Sequence, residues 1–228
     1  MNHSGTNPFH LRPGGSLARP AMRLAAVLTM AGGVAFAQQP ASGGPAEAVR
    51  PNIVFLLADD LGWADLGCYG AADIRTPRLD ALARDGVRFT HFYANGPECS
   101  PTRTALLTGR YQQRVGGLEC AIGTGNVGRY DDAIRLASLH DLGLPAGEIT
   151  IGRLLKEAGY ATALIGKWHL GYEAKFAPRQ HGFDHAFYCL GGGMDYFHHV
   201  EEPPSLTPVL RLDGQPVKRD GYFTDLIA

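Results

Sequence analysis

Apolar stretches that alternate with capped, amphipathic segments limit the fold of this chain more than any other feature. Residues 52–57 form a short apolar run with β-branched members, which is typical of a strand buried on both faces. Residues 87–93 and 160–165 repeat the strand pattern. Thr76 before Pro77 predicts the start of a helix between the first two strands. The alternation indicates an α/β fold with a largely parallel sheet flanked by helices.

Two further helices and two long loops complete this outline. Ser100 is predicted to open one helix and Thr150 another, because hydroxyl side chains cap free backbone N–H groups. Residues 116–148 and 190–221 are rich in Gly, Pro and Asp without clear periodicity, so they predict long loops. In such sheets ligands collect beyond the carboxyl ends of the strands.

The N-terminal region reads as an export signal. An apolar run at 24–37 follows Arg23 and ends in a small-x-small pattern, so residues 1–37 are predicted to be a secretory signal region. An amphipathic first helix is the alternative, and Met22 is an alternative start. Residues 38–50 then form a Gly/Pro/Ala linker. We therefore expect an exported protein, periplasmic or extracellular.

Composition excludes several classes of partner. Lys and Arg number 21 against 22 Asp and Glu, a formal charge of −1, so no nucleic-acid partner is expected. No apolar run reaches the roughly 18 to 20 residues of a membrane span, so stable membrane insertion is not expected. Hydrophobic residues make up 45% of the chain, which suits a packed core. The four cysteines form no CxxC pair. Disulfides are optional, because a chain of this size can bury a sufficient core without them.

Asp59 and Asp60 directly follow the first apolar run. Two adjacent carboxylates repel each other unless a cation or basic groups neutralise them. A hard divalent ion that prefers oxygen ligands, calcium or magnesium, fits this pair best. The alternative is an ordinary acidic turn at the surface.

Cys99 lies immediately before a predicted helix, and Arg103 lies one helical turn further on. The free N–H groups at a helix N-terminus stabilise a thiolate or a bound oxyanion, and Arg103 can point back to the same place. Together they predict an anion site. The alternative is a buried structural cysteine with Arg103 on the solvent face.

Lys167 and His169 follow the predicted strand 160–165. In extended geometry both side chains project from the same face. A fixed cation beside a proton carrier suits an anionic substrate whose reaction moves a proton. The alternative is a pair of surface residues on either side of a core Trp168.

Three segments, in order, resemble a known family: PNIVFLLADDLGWADLGCYG at 51–70, CSPTRTALLTGR at 99–110 and GYATALIGKWHLG at 159–171. They are similar to the N-terminal half of type I, arylsulfatase-like sulfatases of the alkaline phosphatase superfamily. The resemblance runs from residue 51 to about 228. It implies an alkaline-phosphatase-like α/β core, with residues 51–228 as the N-terminal part of a catalytic domain.

The resemblance also implies a chemistry. In the family the motif cysteine, here Cys99, is oxidised by a formylglycine-generating enzyme to an aldehyde that hydrates to a geminal diol. One hydroxyl attacks the sulfur of a sulfate ester and the alcohol leaves. Deprotonation of the second hydroxyl then expels sulfate and restores the aldehyde. The implied substrate is a sulfate ester, such as a sulfated glycan.

Individual roles follow from the matching positions. The resemblance implies that Asp59, Asp60 and the modified Cys99 ligate calcium, with magnesium as the alternative ion. It implies that Arg103 and Lys167 hold the diol and the sulfate oxygens. His169 would assist the proton transfer that releases sulfate.

The sequence departs from the family pattern in three respects. The loop from Gly116 to Pro145 is long. Thr102 stands where serine is commoner. The family's second active-site histidine, a later Asp-Asn metal pair and a second lysine fall past the equivalent of Ala228, so we expect an N-terminal portion that is inactive or unstable alone. His198 and His199 are candidates for replacement ligands, but they resemble a substrate-loop segment instead.

Two alternatives to a sulfuric ester hydrolase stay open from the sequence. One is a phosphoester or phosphonate monoester hydrolase of the same superfamily, which shares the metal-and-nucleophile arrangement. The other is a truncated, non-catalytic sulfatase-like protein that binds sulfated glycans.

Overall fold

The computed structural model describes residues 50–123, 131–201 and 206–228. The predicted signal region and all of the predicted linker except Arg50 lie outside the described residues. Backbone contacts divide the chain into two units, Met1–Phe55 and Leu56–Ala228. No helix among the described residues is both long and apolar enough to cross a bilayer.

The described residues of the second unit form five helices, four strands and several short 3₁₀ turns. The helices are α1 (Pro77–Asp85), α2 (Cys99–Thr108), α3 (Asp131–Ser138), α4 (Ile151–Glu157) and α5 (Phe223–Ile227). The strands are β1 (Ala163–Lys167), β2 (His185–Cys189), β3 (Leu210–Leu212) and β4 (Gln215–Pro216).

The strands form one mixed sheet in the order β1-β2-β3-β4. β1 and β2 are parallel, in a register that pairs Lys167 with Cys189 at their carboxyl ends. β3 is antiparallel to β2, and β4 is antiparallel to β3. The predicted α/β class is confirmed, but the described sheet is mixed, with one parallel pairing and two antiparallel pairings. Ligands of such sheets bind beyond the carboxyl ends of parallel strands, here those of β1 and β2.

Thr150 and Gly109 act as the helix caps that the sequence predicts. Thr150 precedes α4, and its hydroxyl accepts a hydrogen bond from the Arg153 N–H at 3.2 Å. α1 begins at the predicted Pro77. α2 ends at Thr108, and its C-cap is Gly109, whose left-handed φ of 65° is costly for residues with a side chain. Capping chemistry therefore accounts for the start of α4 and the end of α2, whereas the Thr76 side chain makes no capping hydrogen bond to α1.

Trp168 is the largest side chain of the core, with 1% of its surface exposed. Its indole N–H donates to the Phe176 carbonyl at 2.9 Å, so the buried polar atom is satisfied. Among the described residues it belongs to a buried cluster of nine: Leu118, Ile122, Ala133, Leu142, Leu144, Trp168, Leu170, Ala186 and Tyr188. The core thus lies beside β1 and β2 and supports their carboxyl ends.

Two predicted strands are wrong. Residues 52–57 and 87–93 adopt neither helix nor strand, and the side chains of Val54 and Val87 are 82% and 81% exposed. A strand requires a neighbouring strand that bonds its N–H and C=O groups, and these two runs are absent from the register of the described sheet. The apolar character of a run does not by itself provide a neighbouring strand.

The two predicted long loops contain regular structure. The segment 116–148 includes α3, which buries Ala133 completely, and the segment 190–221 includes β3 and β4. β3 and β4 have only three and two residues, too few for a visible period. The conformation of β3 depends on pairing with β2, and that of β4 depends on pairing with β3. Sequence periodicity encodes neither pairing.

The core assignment predicts a difference between two leucines. Leu144 is fully buried and Leu139 is 61% exposed. Leu144→Ala should lower the free energy of unfolding by about 2–5 kcal/mol, because it leaves a cavity. Leu139→Ala is the matched control and should change it by about 0.5 kcal/mol or less. Urea denaturation of both variants measures the difference, and equal losses would contradict the assigned core.

Candidate active site

Three separate segments bring the predicted residues together. Asp59 and Asp60 lie in the loop before the first 3₁₀ turn, Cys99 is the first residue of α2, and Lys167 is the last residue of β1. One oxygen from each carboxylate and the Cys99 sulfur all lie within 4.8 Å of one another. The sequence-predicted acidic pair and cysteine therefore form a single cluster.

Asp59 is the electrostatic centre of this cluster. Lys167 Nζ donates to Asp59 Oδ2 at 2.7 Å, and Arg103 Nη2 donates to Asp59 Oδ1 at 3.1 Å. The second guanidinium arm, Nη1, donates to the Lys167 carbonyl at 2.6 Å. The Arg103 and Lys167 side chains are only 11% and 13% exposed, so Arg103 does not lie on the solvent face.

The surroundings favour the ionised form of Asp59. Burial raises the pKa of this carboxyl, but the hydrogen bonds and charges of Lys167 and Arg103 outweigh burial and hold the pKa below its ordinary value. Two cations, Lys167 and Arg103, therefore lie beside the acidic pair of Asp59 and Asp60 and belong to the same cluster.

His169 occupies a different position from the one predicted. β1 ends at Lys167, and His169 has a left-handed backbone with a φ of 57°, so the two side chains do not share one face of a strand. His169 is 4% exposed, and its Nε2 contacts the Ile122 carbonyl oxygen. The surface alternative for this histidine is therefore wrong.

Burial dominates the chemistry of the His169 imidazole. It lowers the pKa to about 4, and the charges of Lys167 and Arg103 lower it further, although the contact with the Ile122 carbonyl opposes them. The ring is neutral at physiological pH. Its Nδ1 atom is buried and finds no hydrogen-bond partner among the described residues.

The helix that carries Cys99 begins one residue earlier than predicted. Cys99 is the first residue of α2 and Glu98 is its N-cap. Glu98 accepts a hydrogen bond from the Ala121 N–H instead of capping its own helix. Cys99 is half-buried and is a free thiol. Free N–H groups at the start of a ten-residue helix favour negative charge there.

Ser100 is a site residue that sequence reasoning missed. It is fully buried, its hydroxyl donates to the His169 carbonyl at 2.8 Å, and it accepts from the Ile122 N–H at 3.2 Å. Ser100 therefore links the start of α2 to both segments that surround the imidazole. Its position beside Cys99 was the one available signal, and it gave no information on these distant partners.

A second missed contact joins the loops that follow β1 and β2. The Tyr172 hydroxyl donates to Glu201 Oε1 at 3.2 Å. Burial, followed by the charge and hydrogen bond of Glu201, raises the pKa of Tyr172, so the phenol stays protonated. The pair connects the segment after His169 to the far end of the loop after β2.

Among the described residues, His198 and His199 do not join the group of Asp59, Asp60 and Cys99 that could hold a metal ion. His198 Nδ1 contacts Asp195 Oδ1 at 2.9 Å in an exposed loop, and the Asp195 side chain also accepts the N–H groups of Phe197 and His198. His199 is 4% exposed and packs near the Phe223 ring. The loop interpretation of these two residues is the better one.

Comparison with known proteins identifies the family. The sulfatase family model matches residues 51–227. Mouse steryl-sulfatase is 46% identical over 172 residues, covering 73% of this chain and 26% of that protein. Human N-acetylgalactosamine-6-sulfatase is 43% identical over 147 residues, covering 64% of the chain and 26% of that protein. The chain belongs to the sulfatase family, and it spans about a quarter of the length of these curated relatives.

Solved structures agree with this assignment. The crystal structure of Ps i-CgsB has a TM-score of 0.62 and 34% identity, covering 75% of this chain and 38% of that one. BT4656, solved in complex with its substrate D-glucosamine-2-N,6-O-disulfate, has a TM-score of 0.57 and 30% identity, covering 78% of the chain and 29% of that one. The mixed sheet flanked by helices is thus shared with sulfatase structures.

The role of Ser100 as a link predicts a specific loss of stability. Ser100→Ala removes one donor and one acceptor, which leaves buried backbone groups unpaired and should cost about 1–3 kcal/mol. Ser138 is exposed, and its hydroxyl donates to the Arg135 carbonyl in the same helix. Ser138→Ala is therefore the matched control, with an expected change of about 0.5 kcal/mol or less. Urea midpoints measure both, and an unchanged Ser100→Ala midpoint would contradict the link.

Proposed function

We propose that the protein hydrolyses sulfate esters and that this chain supplies part of the active site. The observation that carries the proposal is the cluster of Asp59, Asp60 and Cys99 beside the buried cations Lys167 and Arg103. Membership of the sulfatase family supports the reaction class. The chain spans about a quarter of the length of these curated relatives.

Asp59, Asp60 and the modified Cys99 would hold a calcium ion, with magnesium as the alternative. Two carboxylate oxygens suit a hard divalent cation, and the three donors are close enough to share one ion. The sulfur is a soft donor, but its replacement by oxygen would make the donor set uniformly hard. When bound, the cation supplies Lewis-acid polarisation.

Cys99 is the proposed site of formylglycine formation by a formylglycine-generating enzyme. The hydrated aldehyde would supply the oxygen nucleophile that attacks the sulfur of the ester. Cys99 is half-buried at the start of α2, where free N–H groups favour an anionic group. The reacting position thus lies where the start of a helix stabilises negative charge.

Arg103 and Lys167 are proposed to bind and orient the sulfate group. Their mutual partner Asp59 fixes both cations, and their low exposure strengthens each interaction relative to water. A divalent cation at the acidic pair would leave the cluster with an excess of positive charge. That excess suits an anionic ester and the further charge that develops in its transition state.

His169 is the proposed proton acceptor during sulfate release. Since the carbonyl oxygen of Ile122 can only accept, the contacting Nε2 must carry the ring proton. The neutral tautomer then leaves a lone pair on Nδ1. A buried, neutral imidazole with one free nitrogen can take the proton of a hydroxyl group placed against it.

A sulfated carbohydrate is the proposed substrate class. BT4656 is described with a disulfated glucosamine as its substrate, and a second structure of Ps i-CgsB contains k-i-k-neocarrahexaose, with a TM-score of 0.61. We also propose export to the periplasm or the extracellular space, on the basis of the apolar run within residues 1–37.

The proposal predicts that Cys99 is essential. The natural-length protein, co-produced with a formylglycine-generating enzyme, should hydrolyse 4-nitrophenyl sulfate faster than the corresponding phenylphosphonate ester. Cys99→Ala should reduce the rate to the uncatalysed background, because it removes the nucleophile. Release of nitrophenolate measures each rate.

Cys68→Ala is the matched control, since Cys68 is also a half-buried free thiol but lies outside the cluster. It should keep full activity. Preference for the phosphonate would favour the phosphonate hydrolase alternative. Glycan binding without turnover, together with an unmodified Cys99, would favour the non-catalytic alternative.

A further inference from the structure

Three glycines, residues 191–193, follow β2 after one intervening residue, Leu190. This glycine run lies against the segment that carries His169. The parallel pairing of β1 with β2 continues past the strands, because the Trp168 N–H donates to the Cys189 carbonyl at 3.0 Å. The His169 N–H then donates to the Leu190 carbonyl at 3.2 Å. These two bonds fix the backbone of His169 relative to the turn that follows.

Gly192 faces the imidazole of His169 directly. A Cβ atom at Gly192 would lie 2.7 Å from His169 Cε1, 3.0 Å from Nε2 and 3.3 Å from Nδ1. Such approaches are shorter than an ordinary van der Waals contact of about 3.5–4.0 Å. The ring therefore occupies the space that any side chain at this position would need.

The imidazole has little freedom to move away from Gly192. It is 4% exposed, and its Nε2 contacts the Ile122 carbonyl on one side. The main-chain carbonyl of His169 accepts from Ser100 Oγ at 2.8 Å. Ser100 thus restrains the backbone of this residue, the Ile122 carbonyl restrains one edge of its ring, and Gly192 lies against the ring surface.

We propose that Gly192 is a positioning residue for His169. Its missing side chain lets the turn after β2 close on the imidazole and keep Nε2 on the Ile122 carbonyl, so that Nδ1 is the nitrogen left to accept a proton. This inference rests on the proposed function, in which His169 accepts that proton. It assigns a catalytic contribution to a residue that carries no reactive group.

The backbone of Gly192 makes a clean test available. Gly192 is not among the described glycines with a left-handed φ, so alanine can adopt its conformation. Gly192→Ala therefore adds one methyl group against the ring and leaves the backbone requirement unchanged. Gly147 also lacks a left-handed φ, and a Cβ there would meet nothing within 4 Å, so Gly147→Ala is the matched control.

The kinetic test uses the natural-length protein and 4-nitrophenyl sulfate. Gly192→Ala should lower kcat by about 100-fold, since displacement of a reacting group by about 1 Å has this effect. KM should change less than kcat, because Arg103 and Lys167 still bind the sulfate group. Gly147→Ala should match the wild type in both constants.

A second measurement does not depend on turnover. The imidazole C–H resonance of His169, assigned by its loss in His169→Gln, reports its titration in the wild type with a midpoint near the pKa of about 4. In Gly192→Ala a displaced, better hydrated ring should titrate closer to the ordinary value of 6.5. Gly147→Ala should leave the midpoint unchanged.

The outcomes distinguish the positioning role of Gly192 from the proposed hydrolysis of sulfate esters. A changed His169 midpoint in a protein without sulfatase turnover would support the positioning role and reject the proposed function. Wild-type kcat and an unchanged midpoint in Gly192→Ala would overturn the positioning role. Loss of the thermal unfolding transition in that variant would assign Gly192 to packing alone and would also overturn it.

Discussion

The Asp59 carboxylate accepts hydrogen bonds from Lys167 and from Arg103, and this shared contact joins three segments that are far apart in sequence. Exposed ion pairs contribute little to stability, but both cations here are largely buried. A buried cation without its partner is strongly unfavourable, so the position of the 59–60 loop depends on the end of β1 and on α2. The arrangement of the acidic pair and Cys99, the placement of the two cations and the charge balance of the cluster all depend on this one carboxylate.

Local sequence was sufficient for the parts of the site that lie on well-capped elements. Lys167 at the end of β1 and Arg103 one turn from Cys99 follow from strand and helix signals in their own neighbourhoods. Residues 52–57 show the limit of such reasoning, because apolar character predicted a strand that the described sheet does not contain. A strand is defined by its neighbour, and the sequence of the run carries no information about that neighbour.

The environment of His169 could not be read from the chain in order. Its left-handed backbone at a φ of 57° ends the extended geometry that sequence spacing assumed. Its restraints come from Ser100, the Ile122 carbonyl and Gly192, none of which has a local pattern that points to a histidine. Asp60, which belongs to the cluster, also has this costly left-handed backbone, with a φ of 55°. Sparsely populated backbone states concentrate at functional sites, where the surrounding structure maintains them.

The central claim is that Asp59, Asp60 and Cys99 form one cation site, and calcium calorimetry on the natural-length protein tests it most directly. Asp60→Asn removes a ligand charge and keeps the left-handed backbone, which asparagine adopts readily. Asp73→Asn, at an exposed position outside the cluster, is the control. The account predicts one calcium ion per chain, bound at least about tenfold more weakly after Asp60→Asn and equally well after Asp73→Asn. No saturable binding, or equal affinity in all three proteins, would contradict it.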